Sequence, residues 1–219
     1  MKIIEKFPNV FDLDGFLATK NLAPGKKVYG ERIVKEEGAE YRIWDLHRSK
    51  LAAAVKKGLK EFPILPSSKV LYLGAASGTT ASHISDILTE GELYCVEFAQ
   101  RSMRDLIAVC EVRPNMMPIF ADARQPQDYS KEVGKVDILY QDVAQPDQSK
   151  ILISNAKACL KKGGYAMFCV KSQSIDVTMD PQKVYEIVIS ELEGTFEVLQ
   201  QIDLHPYDKE HLFLFLRMK

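Results

Sequence analysis

The chain has 219 residues, of which 46% are hydrophobic and 27% charged, and its formal net charge is −1. That length and composition suit one full α/β domain with a small appendage, and a charge so near zero excludes a protein that grips nucleic acid by its own basic surplus. No apolar run is long enough to cross a membrane, and the opening Met1-Lys-Ile-Ile-Glu-Lys6 is too charged and too short in apolar run for a secretory signal.

Before residue 50 the pattern is β. Residues 10–13 and 16–18 flank Asp14-Gly15, a tight-hairpin signal, and residues 32–34 and 41–44 flank Glu36-Glu37-Gly38-Ala39, a second one. Pro24-Gly25-Lys26-Lys27 marks a turn between them. Residues 1–48 therefore read as a β-rich module too small to be very stable alone. Trp44, the only tryptophan, reads as a packing anchor in preference to a base-stacking platform.

Residues 49–219 read as a second domain, opening with an amphipathic helix over 49–62 that carries Leu51, Ala54, Val55 and Leu59 on one face. Strands then end at Gly74, Glu97, Asp122, Asp142 and Lys171, each an almost continuous apolar run, as parallel strands buried on both faces require. Cys95, Cys110, Cys159 and Cys169 lie scattered without C-x-x-C spacing and read as reduced core residues of an intracellular protein, not as metal ligands or disulfides. A helix over 181–192 leads to strands over 196–204 and 211–217, which no crossover helix separates, so they pair antiparallel. The expected fold is α/β and Rossmann-like: a seven-stranded, mostly parallel sheet with an antiparallel last strand, similar to the methyltransferase variant of the doubly wound architecture.

The most informative stretch is Val70-Leu-Tyr-Leu-Gly-Ala-Ala-Ser-Gly-Thr-Thr80. A short apolar run stops at Gly74, and Thr79 and Thr80 open a helical pattern through Ala81, Ile84 and Ile87. Strand, glycine turn and helix of this kind form a ligand cradle of backbone amides. Glu97, about 20 residues beyond that turn, stands where an acid accepts ribose hydroxyls. The turn is not G-x-G-x-x-G, and Ser77-Gly78-Thr79-Thr80 crowds the place of a pyrophosphate. Adenosine without pyrophosphate points to S-adenosyl-L-methionine.

Ligands of doubly wound sheets bind outside the carboxyl ends of the strands. Asp142 and Lys171 end adjacent central strands, and a lysine leaving a crowded strand end needs a partner. The plainer reading is an ion pair that closes the sheet; the functional reading gains from its place at the mouth of the cofactor site. Lys50, at the start of the helix before the glycine turn, projects over the same mouth, and its plainer reading is a solvated helix-end cation. His211 begins the last strand. His205 competes with it from a loop, and His47 and His83 lack comparable placement.

These residues resemble the fibrillarin family in its archaeal form, from about Val10 onward. The matching stretches are Leu17-Ala-Thr-Lys-Asn-Leu22, Val28-Tyr-Gly-Glu31, Arg48-Ser-Lys-Leu-Ala-Ala53, Gly74-Ala-Ala-Ser-Gly-Thr-Thr80, Ser82-His-Ile-Ser-Asp86, Val96-Glu-Phe98, Asp142-Val-Ala-Gln-Pro-Asp147 and Val170-Lys171, in order and correctly spaced. The chain departs where the family has Trp-Asn-Pro, here Trp44-Asp-Leu-His47, and after Lys171, where Ser172-Gln173 replaces Ala-Arg or Ala-Asn.

The resemblance implies S-adenosylmethionine-dependent 2′-O-methylation of ribose in rRNA, and in tRNA, with the target chosen by a box C/D guide RNA. It also implies a Nop-domain scaffold protein and a kink-turn-binding ribosomal-type protein as partners, and in the archaeal form a cytoplasmic location. Such partners resolve the charge balance, because they and the guide hold the RNA. Carried over by position, Gly74, Thr79, Thr80, Glu97, Phe98, Asp122, Ala123, Asp142, Val143, Ala144 and Gln145 line the cofactor site. Lys50, Asp142, Lys171 and His211 match the family's Lys-Asp-Lys-His set, and no metal is implied. In the expected in-line displacement Lys171 orients the ribose hydroxyl, Asp142 fixes Lys171, and Lys50 or His211 completes the polar cage. Two alternatives stand beside this: a methyltransferase of a protein glutamine amide with the same cofactor site, and a non-catalytic ribonucleoprotein scaffold.

Overall fold

The computed structural model describes residues 2–219 and contains two sheets. The first is antiparallel, built from β1 (Ile3–Phe7), β2 (Val10–Leu13), β3 (Phe16–Lys20), β4 (Ile33–Glu36) and β5 (Ala39–Ile43) in the order β1-β2-β3-β5-β4. Both hairpins turn through two residues with positive φ, Asp14 and Gly15 at 49° and 92°, Glu37 and Gly38 at 51° and 76°. That geometry matches the twist of the flanking strands. The second turn is thus tighter than the four residues read from sequence, since Glu36 and Ala39 already pair across the ladder. Strand β1 escapes the sequence pattern, because its residues lie at the sheet edge with little burial to impose alternation.

Helix α1 (Lys50–Lys56) follows. Ser49 caps it by accepting from the Ala52 amide at 3.4 Å. It ends well before residue 62, because Gly58 takes φ +98° and turns the chain. Leu59, Phe62 and Ile64 still enter the core, but from irregular chain, which is why their apolar spacing imitates a longer helix.

The second sheet has the order β11-β12-β10-β9-β6-β7-β8. Its strands are β6 (Lys69–Leu73), β7 (Glu92–Glu97), β8 (Met116–Phe120), β9 (Val136–Gln141), β10 (Leu160–Lys171), β11 (Phe196–Asp203) and β12 (His211–Met218). Only β12 runs against the rest, pairing antiparallel with both β10 and β11. Side chains alternate strictly between two cores. Val70, Tyr72, Ile138, Tyr140, Met167 and Phe213 face the side covered by α1, α2 (Thr79–Ile87) and α3 (Gln100–Cys110). Leu71, Leu73, Leu139, Ala166, Phe168 and Leu214 face α4 (Ser130–Val133), α5 (Gln148–Cys159) and α7 (Pro181–Leu192), while the short α6 (Ser172–Ile175) follows β10. Each fully buried Leu or Phe of this kind contributes about 2 kcal/mol over its exposed state. All four cysteines are free thiols.

The two sheets meet across a buried polar seam. Arg42 on β5 is wholly buried and donates from Nε to Glu31 Oε1 at 2.6 Å, from Nη1 to Asp86 Oδ2 at 2.8 Å and from Nη2 to Ser82 Oγ at 2.8 Å. Asp86, on α2, also accepts from Arg113 Nη1 at 2.6 Å, the Leu22 amide at 2.9 Å and the Thr19 hydroxyl at 2.7 Å. His83 lies in the same seam with Nδ1 2.7 Å from Thr19 Oγ1 and Nε2 2.8 Å from the Tyr29 hydroxyl. Thr19 spends its only proton on Asp86, so it accepts from Nδ1–H of His83. Burial, with Arg42 and Arg113 nearby, pushes the His83 pKa well below its ordinary value, so the ring is neutral. Burial pushes the Tyr29 hydroxyl up to about 12. Trp44 stacks on the His83 ring at 4.8 Å with 12° between planes, a packing role.

Candidate active site

The β6–α2 turn needs its first glycine for contact as well as conformation. Gly74 has φ +78°, and a Cβ there would lie 2.8 Å from the carbonyl oxygen of Asp142. Two strand-end loops therefore touch backbone to backbone, which only glycine permits. Ala76 holds φ 48° and turns its amide to Glu97 Oε2 at 2.9 Å. The other oxygen, Oε1, accepts from the Phe98 and Ala99 amides at 2.9 and 2.7 Å. These three bonds fix a buried carboxylate at the end of β7 with lone pairs to spare.

Beside it lies a cavity of about 220 Å³ lined by Gly74, Ala76, Val96, Glu97, Phe98, Ala121, Ala123, Asp142, Val143, Ala144, Gln145 and Lys171. Phe98, one of its lining residues, is 55% exposed. An apolar slot, one spare carboxylate and an open aromatic face fit a nucleoside. Three residues assigned to this cofactor site from sequence are not among those that line the cavity. Thr79 opens into a separate cavity with Lys26, Arg48 and Ser77. Thr80 is buried and donates its hydroxyl to Ser49 at 3.0 Å, tying α2 to the start of α1. Asp122 is taken by Arg124, whose Nε and Nη2 reach Oδ2 at 3.0 and 2.6 Å and hold the carboxyl below its ordinary range.

Around Asp142 and Lys171, which line the cavity, the four residues Lys50, Asp142, Lys171 and His211 come together. Each stands at the terminus of an element: Lys50 opens α1, Asp142 follows β9, Lys171 closes β10 and His211 opens β12. Lys171 Nζ lies 2.8 Å from Asp142 Oδ1 and donates to the Asp142 carbonyl at 3.1 Å. Lys50 Nζ donates to Asp142 Oδ2 at 3.3 Å. Lys171 and His211 are cross-strand partners in the β10–β12 ladder and so share a face. Burial alone would lower the Lys50 pKa, but the charges of Asp142 and Asp208 outweigh it and hold the ammonium firmly charged.

Two residues of the cluster carry no sequence signal. Asp208 joins the set from the β11–β12 loop, with Oδ2 3.4 Å from Lys50 Nζ and Oδ1 2.9 Å from His211 Nδ1. Gln148, fully buried at the start of α5, clamps the Lys171 backbone: Oε1 accepts from its amide at 3.0 Å and Nε2 donates to its carbonyl at 3.2 Å. A loop acid three residues before a histidine, and a glutamine within the polar stretch Gln145-Pro-Asp-Gln-Ser-Lys150, look ordinary until the fold places them.

A parallel sheet closed by one antiparallel strand, with a cavity at its carboxyl edge lined by Glu97 and a Lys-Asp-Lys cluster beside it, defines a methyltransferase of the S-adenosylmethionine class. The fibrillarin family model matches residues 1–219, and the chain belongs to that family. The fibrillarin-like rRNA/tRNA 2′-O-methyltransferase of Pyrococcus furiosus is 55% identical over 218 residues, covering 97% of this chain and 96% of that protein. Fibrillarin of Aeropyrum pernix, solved with natively bound S-adenosyl-L-methionine, is 46% identical with a TM-score of 0.89 over 99% of both chains. A fibrillarin solved in complex with Nop5p is 40% identical with a TM-score of 0.92, over 99% of this chain and 100% of that one.

Proposed function

We propose that this chain is an S-adenosylmethionine-dependent methyltransferase of ribose 2′-hydroxyls in rRNA, working inside a ribonucleoprotein. The observation that carries the reading is that one cavity is lined by both Glu97 and the Lys171–Asp142 pair. Within it Glu97 accepts from the ribose hydroxyls of the cofactor, Phe98 flanks the adenine, and Ala123, Val143, Ala144 and Gln145 form the walls. S-adenosylmethionine supplies the sulfonium methyl that is transferred. A neutral hydroxyl attacks poorly, so the protein's chief contribution is placement. Lys171 donates to the 2′ oxygen and orients it, Asp142 fixes Lys171, and Lys50 holds Asp142.

A Nop-domain scaffold partner is supported by the relative solved with Nop5p. The same reading includes a box C/D guide RNA that selects the target, a kink-turn-binding ribosomal-type protein, tRNA as a further acceptor, and a cytoplasmic location. The deciding experiment is methyl transfer by the reconstituted complex to a guide-matched RNA, with the product nucleoside identified. A 2′-O-methylated nucleoside at the guided position is expected. Methyl on a protein glutamine amide, with none on ribose, would overturn the reading.

A further inference from the structure

The two ring nitrogens of His211 stand in unequal surroundings. Nδ1 lies 2.6 Å from the carbonyl oxygen of Lys209 and 2.9 Å from Oδ1 of Asp208. Both neighbours can only accept, so Nδ1 carries a proton and the lone pair of the neutral ring sits on Nε2. Among the described residues Nε2 makes no hydrogen bond. The lysines of the cluster are committed differently, as ammonium groups that donate to carboxylates and a carbonyl and have no lone pair to offer. The side chain of His211 is 18% exposed and stands opposite Lys171 on the adjoining strand, with Cβ atoms about 5 Å apart in such a pair.

We propose that Asp208 and His211 form the proton-accepting unit of the transfer, resting on the ribose methyltransferase reading above. The 2′-hydroxyl bond breaks toward His211 Nε2, and the electron pair left on oxygen forms the new bond to the methyl carbon. The carbon–sulfur pair returns to sulfur, which ends neutral, and the imidazolium later gives its proton to water. His211 is the catalytic base. Asp208 is a positioning residue: its carboxylate stabilises the imidazolium and, through its second oxygen, steadies Lys50 against Asp142.

The test uses the reconstituted ribonucleoprotein with guide-matched RNA, read by single-turnover methyl transfer, cofactor calorimetry, RNA KM and melting temperature. His211→Gln should slow the chemical step by ~10²-fold or more, within the range for losing a general base. Cofactor Kd and RNA KM should stay within about twofold. His211→Ala should recover rate on addition of imidazole, which a merely structural histidine would not show. Asp208→Asn should slow the step about tenfold or more, and Asp208→Glu should restore most of that loss. An active wild type whose His211→Gln variant transfers at a near-normal rate overturns the dyad alone. Loss in Asp208→Asn that merely tracks folded protein or cofactor binding also overturns it. A wild-type complex that yields no 2′-O-methylated nucleoside overturns the underlying reading, and the dyad with it.

Discussion

Glu97 and Asp142 are both strand-end acids, yet their surroundings assign them different work. Glu97 Oε1 is filled by two backbone amides, whereas Oε2 takes one and keeps a lone pair for a ligand, so loss of the side chain should weaken cofactor binding by ~1–3 kcal/mol, the range for a hydrogen bond to a charged group. Calorimetry on Glu97→Ala checks this, and an unchanged Kd would remove the residue from the site. Asp142 instead meets two ammonium groups. Asp142→Ala and Lys171→Ala should each abolish most transfer, while the double variant should lose little more than either, as residues acting as one unit do. If the pair only closed the sheet, activity would fall in step with melting temperature; single-turnover rates on folded variants separate the two outcomes. Lys50, Asp142, Lys171 and His211 were legible in the sequence because each sits at the terminus of an element, where periodicity breaks on a charge. Thr79, Thr80 and Asp122 are not among the lining residues because chain position says nothing of side-chain direction: Thr80 turns toward Ser49, and Asp122 pairs with its neighbour Arg124. Asp208 was invisible because a loop acid has no periodicity to interrupt.

Among the elements, the β6–α2 turn and the seam are the most exposed to single changes. Gly74→Ala would place a Cβ 2.8 Å from the Asp142 carbonyl at a left-handed φ. Backbone strain of that kind costs ~1–3 kcal/mol, and relief would push Asp142 away from Lys171. The variant should melt lower and lose transfer beyond its loss of fold, read by melting temperature beside single-turnover rate. In the seam, His83 is neutral when folded, with a pKa depressed from 6.5, whereas in the unfolded chain it takes up a proton below about 6.5. The unfolded state then binds the extra proton, so His83 adds to stability above that pH and the contribution is lost as pH falls. The slope is at most ~1.4 kcal/mol per pH unit. Denaturant titrations of wild type and His83→Gln at pH 7.5 and 5.5 should show a smaller acid loss in the variant; equal losses would contradict a neutral buried ring. The parallel strands and α7 were plain in the sequence, since continuous apolar runs and a Pro181 start need no tertiary information. The ends of α1 and the existence of β1 were not, because Gly58 and a sheet edge act through the fold.

For the molecule as a whole, a net charge of −1 leaves little electrostatic grip on a phosphate backbone. The isolated chain should bind S-adenosylmethionine yet methylate RNA poorly, and adding guide RNA with both partner proteins should restore the reaction. Robust site-specific methylation by the protein alone would show that the division of labour is wrong. The sheet order adds a constraint of another kind. The last strand of the sequence, β12, lies inside the sheet between β10 and β11, and Leu212 through Leu216 are buried there. His211 stands at its head. During synthesis Lys50, Asp142 and Lys171 are all made before the strand that joins β11 to the sheet exists. A nascent chain interrupted upstream of β12 therefore has an open sheet edge and no fourth member of its polar cluster. A chain interrupted there is expected to lack transfer activity and to present an unpaired strand edge, a template for aggregation.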